Sequence, residues 1–140
     1  MSDTADYPRS ESATADGQRG SHLAAISRRV VGLVKEQYGK GPTGARTYLS
    51  GDLVVVILSG GFTAGERTLV REGHVDAVSG MRSALQETMR PKLKQIVEEE
   101  LQRPVIAFMS ANHDSPDLAA EIFILASPAI ADEIGEARMD

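Results

Sequence analysis

Leu53-Val-Val-Val-Ile-Leu58 is the segment that most narrows what this chain can become. A strand with one wet face alternates apolar and polar residues, whereas this one is apolar on both faces, so it must lie deep in a sheet. It is the longest unbroken apolar run and falls far short of the ~20 residues that a membrane-spanning helix needs. The chain must therefore build a sheet around it within 140 residues, which is enough for one domain with a core of its own.

That core draws on Val, Ile, Leu and Ala, because aromatic residues make up only 4% of the chain and tryptophan is absent. Stacking platforms for nucleic-acid bases are correspondingly disfavoured. No cysteine is present, which excludes disulfides, thiolate metal sites and cysteine nucleophiles, and fits a reducing compartment. The net charge of −5 sits in the two termini, leaving residues 22–126 neutral overall, a poor match for nucleic acid or an anionic membrane. The first ten residues lack the basic-then-apolar layout of a secretory signal, so the expected location is the cytoplasm, with peripheral attachment to the inner face of the membrane allowed.

Around the apolar strand the patterns give the order α-β-β-α-α-β-β. Residues 1–20 have almost nothing to bury and read as a disordered lead-in. Ser21 then caps a helix in which Leu23, Ile26, Val30, Leu33, Val34 and Tyr38 recur at helical spacing, and Gly39, Gly41 and Pro42 stop it. Ser50-Gly51-Asp52 joins the two strands of a hairpin. Thr63-Ala-Gly-Glu66 is a capping box that opens a helix running to about Glu72. Val78, Met81, Leu85, Met89, Leu93, Ile96, Val97 and Leu101 mark a further helix. Arg82, Glu87, Arg90, Lys94 and Glu98 to Glu100 fall on its wet side, and Pro91 should kink it or mark a start. Strands near Val105–Ala111 and Ala119–Leu125 flank a turn at His113–Asp117, and residues 127–140 read as an acidic tail.

The predicted fold class is α+β, a four-stranded antiparallel sheet with helices mainly on one face, forming a single domain over residues 21–126. A shift of 63 positions lays Ile26, Val30, Leu33 and Val34 on Met89, Leu93, Ile96 and Val97. That fits two αββ repeats, although two unrelated amphipathic helices would match in the same way.

Gly39-Lys-Gly41-Pro-Thr-Gly44 has the spacing of a dinucleotide-binding turn, and Gly39 to Arg46 approaches a nucleotide phosphate loop. Both motifs need the order strand, glycines, helix, so that a positive helix start faces the phosphate. Here a helix precedes and a strand follows, so the glycines meet the negative end of the helix dipole. Gly41-Pro-Thr-Gly44 also fits the loop of KH RNA-binding domains, but lacks its two flanking helices and central basic residues. The stretch reads as a helix stop and turn.

His113, Asp114 and Asp117 form the only compact group suited to proton transfer or metal binding, in a turn that uses the same residue types for its backbone. His74 reads as a surface or capping residue, Met81 and Met89 as core filler, and Glu98 to Glu100 as a solvated face.

Several of these segments in order resemble a small bacterial family, MpsC, named for the soluble component of a sodium-translocating membrane-potential-generating system. They are Gly39-Lys-Gly41-Pro42 after a helix, the apolar strand ending in glycine, the Thr63-Ala-x-Glu66 helix start, Arg90-Pro91, and an Asp-containing turn before "EIFIL". At that turn Asn112-His113-Asp114 replaces the family's usual His-Ser-Asp. The resemblance implies an accessory role beside membrane proteins for cation or bicarbonate uptake.

The sequence therefore predicts a non-enzymatic module that binds a protein partner, without cofactor, metal or catalytic residues. Lys40, Arg46, His113, Asp114 and Asp117 are the candidate contacts to a ligand or partner. A homodimer is expected because Leu53–Leu58 and Ala119–Leu125, taken as sheet edges, carry only Glu121 as a charge. A small-molecule sensor or enzyme using the His113/Asp114 turn is one alternative. An RNA-binding face at Arg28, Arg29, Lys35 and Lys40 is the other.

Overall fold

The computed structural model describes residues 11–127; residues 1–10 and 128–140, which hold the first half of the expected lead-in and nearly all of the acidic tail, lie outside the described residues. The elements follow the predicted order: α1 (Glu11–Tyr38), β1 (Gly44–Ser50), β2 (Leu53–Ser59), α2 (Ala64–Arg71), α3 (Val75–Leu101), β3 (Val105–His113) and β4 (Leu118–Leu125). The strands form one antiparallel sheet in the order β1-β2-β4-β3. Each αββ unit thus supplies one edge and one central strand, and the central strands pair with each other.

Helix α1 starts at Glu11 rather than at Ser21, which corrects the expected boundary. Residues 17–22 are exposed, so no apolar face announces this extension. Arg19 ties this extension to the sheet, its guanidinium donating to the Leu49 carbonyl at 2.6 Å. Helix α1 ends at Tyr38 because Gly39 adopts φ +83°, while its N–H still bonds the Lys35 carbonyl at 2.9 Å.

Helix α3 runs unbroken through Pro91, so that residue does not start an element. Pro91 lies on the exposed side, where water can take the carbonyl that the ring leaves without its helical partner. The α2 cap is the expected reciprocal pair: the Glu66 N–H donates to Thr63 Oγ1 at 3.2 Å and the Thr63 N–H to Glu66 Oε1 at 2.8 Å. His74 occupies the N-cap position of α3 without a side-chain bond to it.

The core lies between the helices and one sheet face. Ile26, Val30 and Leu33 of α1 and Met89, Leu93, Ile96 and Val97 of α3 pack there with Val54, Val56, Leu58, Phe108, Phe123 and Leu125. The matched positions of the two proposed repeats therefore share one core, with Val34 partly buried at its margin. Two residues of α3 depart from the sequence reading. Met81 is 45% exposed rather than core filler, and Arg82, expected on the wet side, is 8% exposed. Glu98 to Glu100 also do more than face water. Arg29 bridges Glu99 at 2.6 Å and Glu100 at 3.1 Å, His22 contacts Glu100 at 3.0 Å, and Glu98 accepts from the Val105 N–H at 2.7 Å.

The two nearly uncharged strands are the central ones, not the edges, so edge pairing through them is corrected: their backbone groups already serve the sheet. Strand β2 is deep as predicted, but only Val54, Val56 and Leu58 point into the core. Among the described residues no helix covers the opposite face.

Candidate functional site

Two features can do something chemical: a cavity at one end of the helix-sheet interface, and the open sheet face. The cavity opens where the end of α1, the loops at 39–43 and 60–63, and the turn at 114–117 come together. It measures ≈ 450 Å³ counting its open mouth. Val34, Leu58, Leu85, Met89 and Ala119 make its apolar wall.

Its polar base comes from α3 and the β3-β4 pair. Inward-facing positions of β4 alternate as Glu121, Phe123 and Leu125, so Glu121 is carried into the interior by the strand's own period and is 2% exposed. Its Oε2 accepts from Gln86 Nε2 at 2.8 Å and its Oε1 from the Ser110 hydroxyl. Gln86 and Asn112 exchange amide bonds at 2.8 and 3.2 Å. Burial pushes the Glu121 carboxyl above the usual range, against the opposing pull of the Ser110 and Gln86 bonds and the charge of Arg82.

Arg82 holds the neighbouring corner, its guanidinium 3.0 Å from Asp117 Oδ1 and 3.9 Å from the centre of the Phe62 ring. Asp117 also accepts from the Phe62 N–H at 2.7 Å, and its carbonyl accepts from the Gly60 N–H at 3.1 Å. The Tyr38 hydroxyl, buried in the cavity wall, has no hydrogen-bond partner among the described residues.

The five candidate residues are not gathered into one site. Lys40 donates to the Phe62 carbonyl at 2.7 Å, so like Asp117 it braces the 60–63 loop. His113 Nδ1 lies 2.8 Å from the Pro116 carbonyl and closes its own turn, while Asp114 is exposed beside it. Arg46 is on the opposite sheet face and exposed. In the basic group on α1, Arg29 is taken up by Glu99 and Glu100 and Lys40 by the loop, leaving Arg28 and Lys35 as the exposed remainder. Among the described residues no group of three or more His, Cys, Asp or Glu is placed to hold a metal ion.

Of the cavity's polar members, Asp117 was among those candidates, whereas Tyr38, Arg82, Gln86, Asn112 and Glu121 were not. One signal could have found Glu121: it is the only charge in Ala119–Leu125 and shares parity with Phe123 and Leu125.

The open face is made by register. Tyr48, Val55, Ile122 and Met109 lie opposite one another in a row across all four strands, and Arg46, Ile57, Ala120 and Ala111 form the next. Tyr48 and Met109 are each 50% exposed, and Leu53 and Ile106 add to the surface. Arg46 is the one side chain in these two rows that is charged at neutral pH.

A family model described as "MpsC: Na+-translocating membrane potential-generating system (MpsC)" matches residues 18–127. Comparison with curated proteins and with solved structures gives no match.

Proposed function

Because the chain belongs to the MpsC family, we propose that it is a non-enzymatic accessory or regulatory subunit of a membrane cation or bicarbonate uptake system, acting through protein partners as a homodimer. No helix among the described residues is long and apolar enough to cross a membrane. In this reading ion conduction belongs to other subunits.

The observation that carries the proposal is the sheet face left uncovered by the described residues, and its occupant is a second copy of the chain. Its pattern is self-matching, since two αββ units meet at the central β2-β4 pair. With Arg46 its one fixed charge, it offers no charge pattern that would select a dissimilar partner. Two sheets pack face to face about 10 Å apart, interleaving their side chains. Four strands of about seven residues give a flat footprint of about 440 Å² per copy. Side-chain relief enlarges this, bringing two copies into the lower range of specific interfaces, about 1,200 Å² in total. Surfaces away from this face remain for the membrane partner.

Sedimentation equilibrium tests the dimer. The wild-type chain should be dimeric in the micromolar range, and Tyr48→Glu or Met109→Lys, at half-exposed positions, should give folded monomers. A monomeric wild type, or dimers unaffected by both substitutions, would overturn the face-to-face reading. The accessory role is tested separately by co-purification from membranes of the native bacterium. It requires recovery of an integral membrane transport protein, and its failure beside an intact dimer would reject that role alone.

A further inference from the structure

We propose that the cavity beside Glu121 is a binding site for a small, mostly apolar molecule with one hydrogen-bond-donating head, an alcohol or an amine. The inference stands apart from the partner reading, because the cavity lies on the helix side of the sheet. Three properties of the wall define the ligand.

The first is size and polarity. The enclosed part has room for roughly three to five water-sized groups, which suits a head with a short chain and excludes nucleotides and sugars. Val34, Leu58, Leu85, Met89 and Ala119 would receive the chain.

The second is unused bonding capacity. Each Glu121 oxygen accepts one bond, from Ser110 and Gln86 respectively, and a carboxylate oxygen can accept two. The Tyr38 hydroxyl is buried in the same wall with no partner among the described residues, and buried polar atoms of this kind call for a water or a ligand.

The third is charge. The cavity's charged groups are Arg82, Asp117 and Glu121, and Arg82 is already engaged by Asp117 and the Phe62 ring. Among the described residues of the lining no free cation remains to receive an anionic head, whereas a donor meets the Glu121 carboxyl.

Met89 lies in the wall while Met81 and Met109 are exposed elsewhere, so methyl NMR reads the site directly in the full chain. Titration with n-butanol, n-butylamine and butyrate, which each have four carbons and differ in head, should shift the Met89 methyl with the first two and not with butyrate. Glu121→Gln should weaken n-butylamine by about tenfold, because the ammonium then meets a neutral amide in place of a carboxyl that can ionise against it. Leu85→Phe, which fills the cavity, should abolish the shift with n-butanol and n-butylamine; should it fail to fold, the ranking of heads on the wild-type chain still decides. The proposal is overturned if no probe moves Met89, if butyrate binds as well as the others, or if Met81 and Met109 move equally.

Discussion

Glu121 is a carboxylic acid placed where ionisation is disfavoured, and this fixes the sign of its effect on stability. Burial raises its proton affinity in the folded chain. Its contribution is therefore complete below the ordinary glutamate range and is lost as pH rises through the raised value. Asp52, Glu87, Glu99 and Glu100 act in the opposite sense, because bonds from Arg103, Arg90, Arg29 and His22 hold them below their usual range. Their contribution is present at neutral pH and lost as pH falls. Glu121→Gln should consequently gain thermal stability relative to wild type between about pH 4 and pH 8; a gap in Tm that stays constant across that range would contradict this account. The ion pair of Arg82 and Asp117 has a different asymmetry. Arg82→Met leaves Asp117 partly buried without its cation and should cost about 3 kcal/mol in urea unfolding. The double variant Arg82→Met/Asp117→Asn should cost less than the single one, since no charge is then stranded.

At the level of elements, capping and turn chemistry were legible and long-range bracing was not. Thr63 and Glu66 satisfy each other's backbone within four residues, so the box could be recognised from spacing alone and is present as read. Thr63→Ala should cost about 1 kcal/mol by denaturant titration, and a loss below a few tenths would mean that α3 packing, not the cap, holds α2. The helix stop at Gly39 was equally local. Gly60, in contrast, was visible only as the end of an apolar strand. It adopts φ +71°, and a Cβ there would stand 2.1 Å from Thr43 Oγ1, on the far side of the hairpin. Gly60→Ala should therefore destabilise by more than the ~1 kcal/mol typical of a lost left-handed glycine, and Gly60→Ala/Thr43→Ala should recover part of that loss. The start of α1 escaped the sequence reading because helix periodicity reports a buried stripe, and residues 17–22 have none.

For the molecule as a whole, the dimer reading predicts that Tm rises with protein concentration, since dissociation accompanies unfolding. Tyr48→Glu should flatten that dependence, and a wild-type Tm independent of concentration would count against the dimer. What the sequence determined by itself was the list of elements, their order and most of the inward apolar residues of α1 and α3, Met81 excepted, because side-chain period, caps and glycine stops act over a few neighbouring positions. The antiparallel sheet beneath helices followed from those patterns by economy of burial. The tertiary structure alone decided which strands became central. Leu53–Leu58 and Ala119–Leu125 are interior because β2 and β4 pair with each other, a contact between residues about sixty to seventy positions apart. The same pairing turned Glu121 from a charge on a strand into the floor of a cavity, and left Val55, Ile57, Ile122 and Ile124 on an open face. A local pattern states that a residue is apolar or charged; only the assembled layers determine whether helix, water or another chain lies against it.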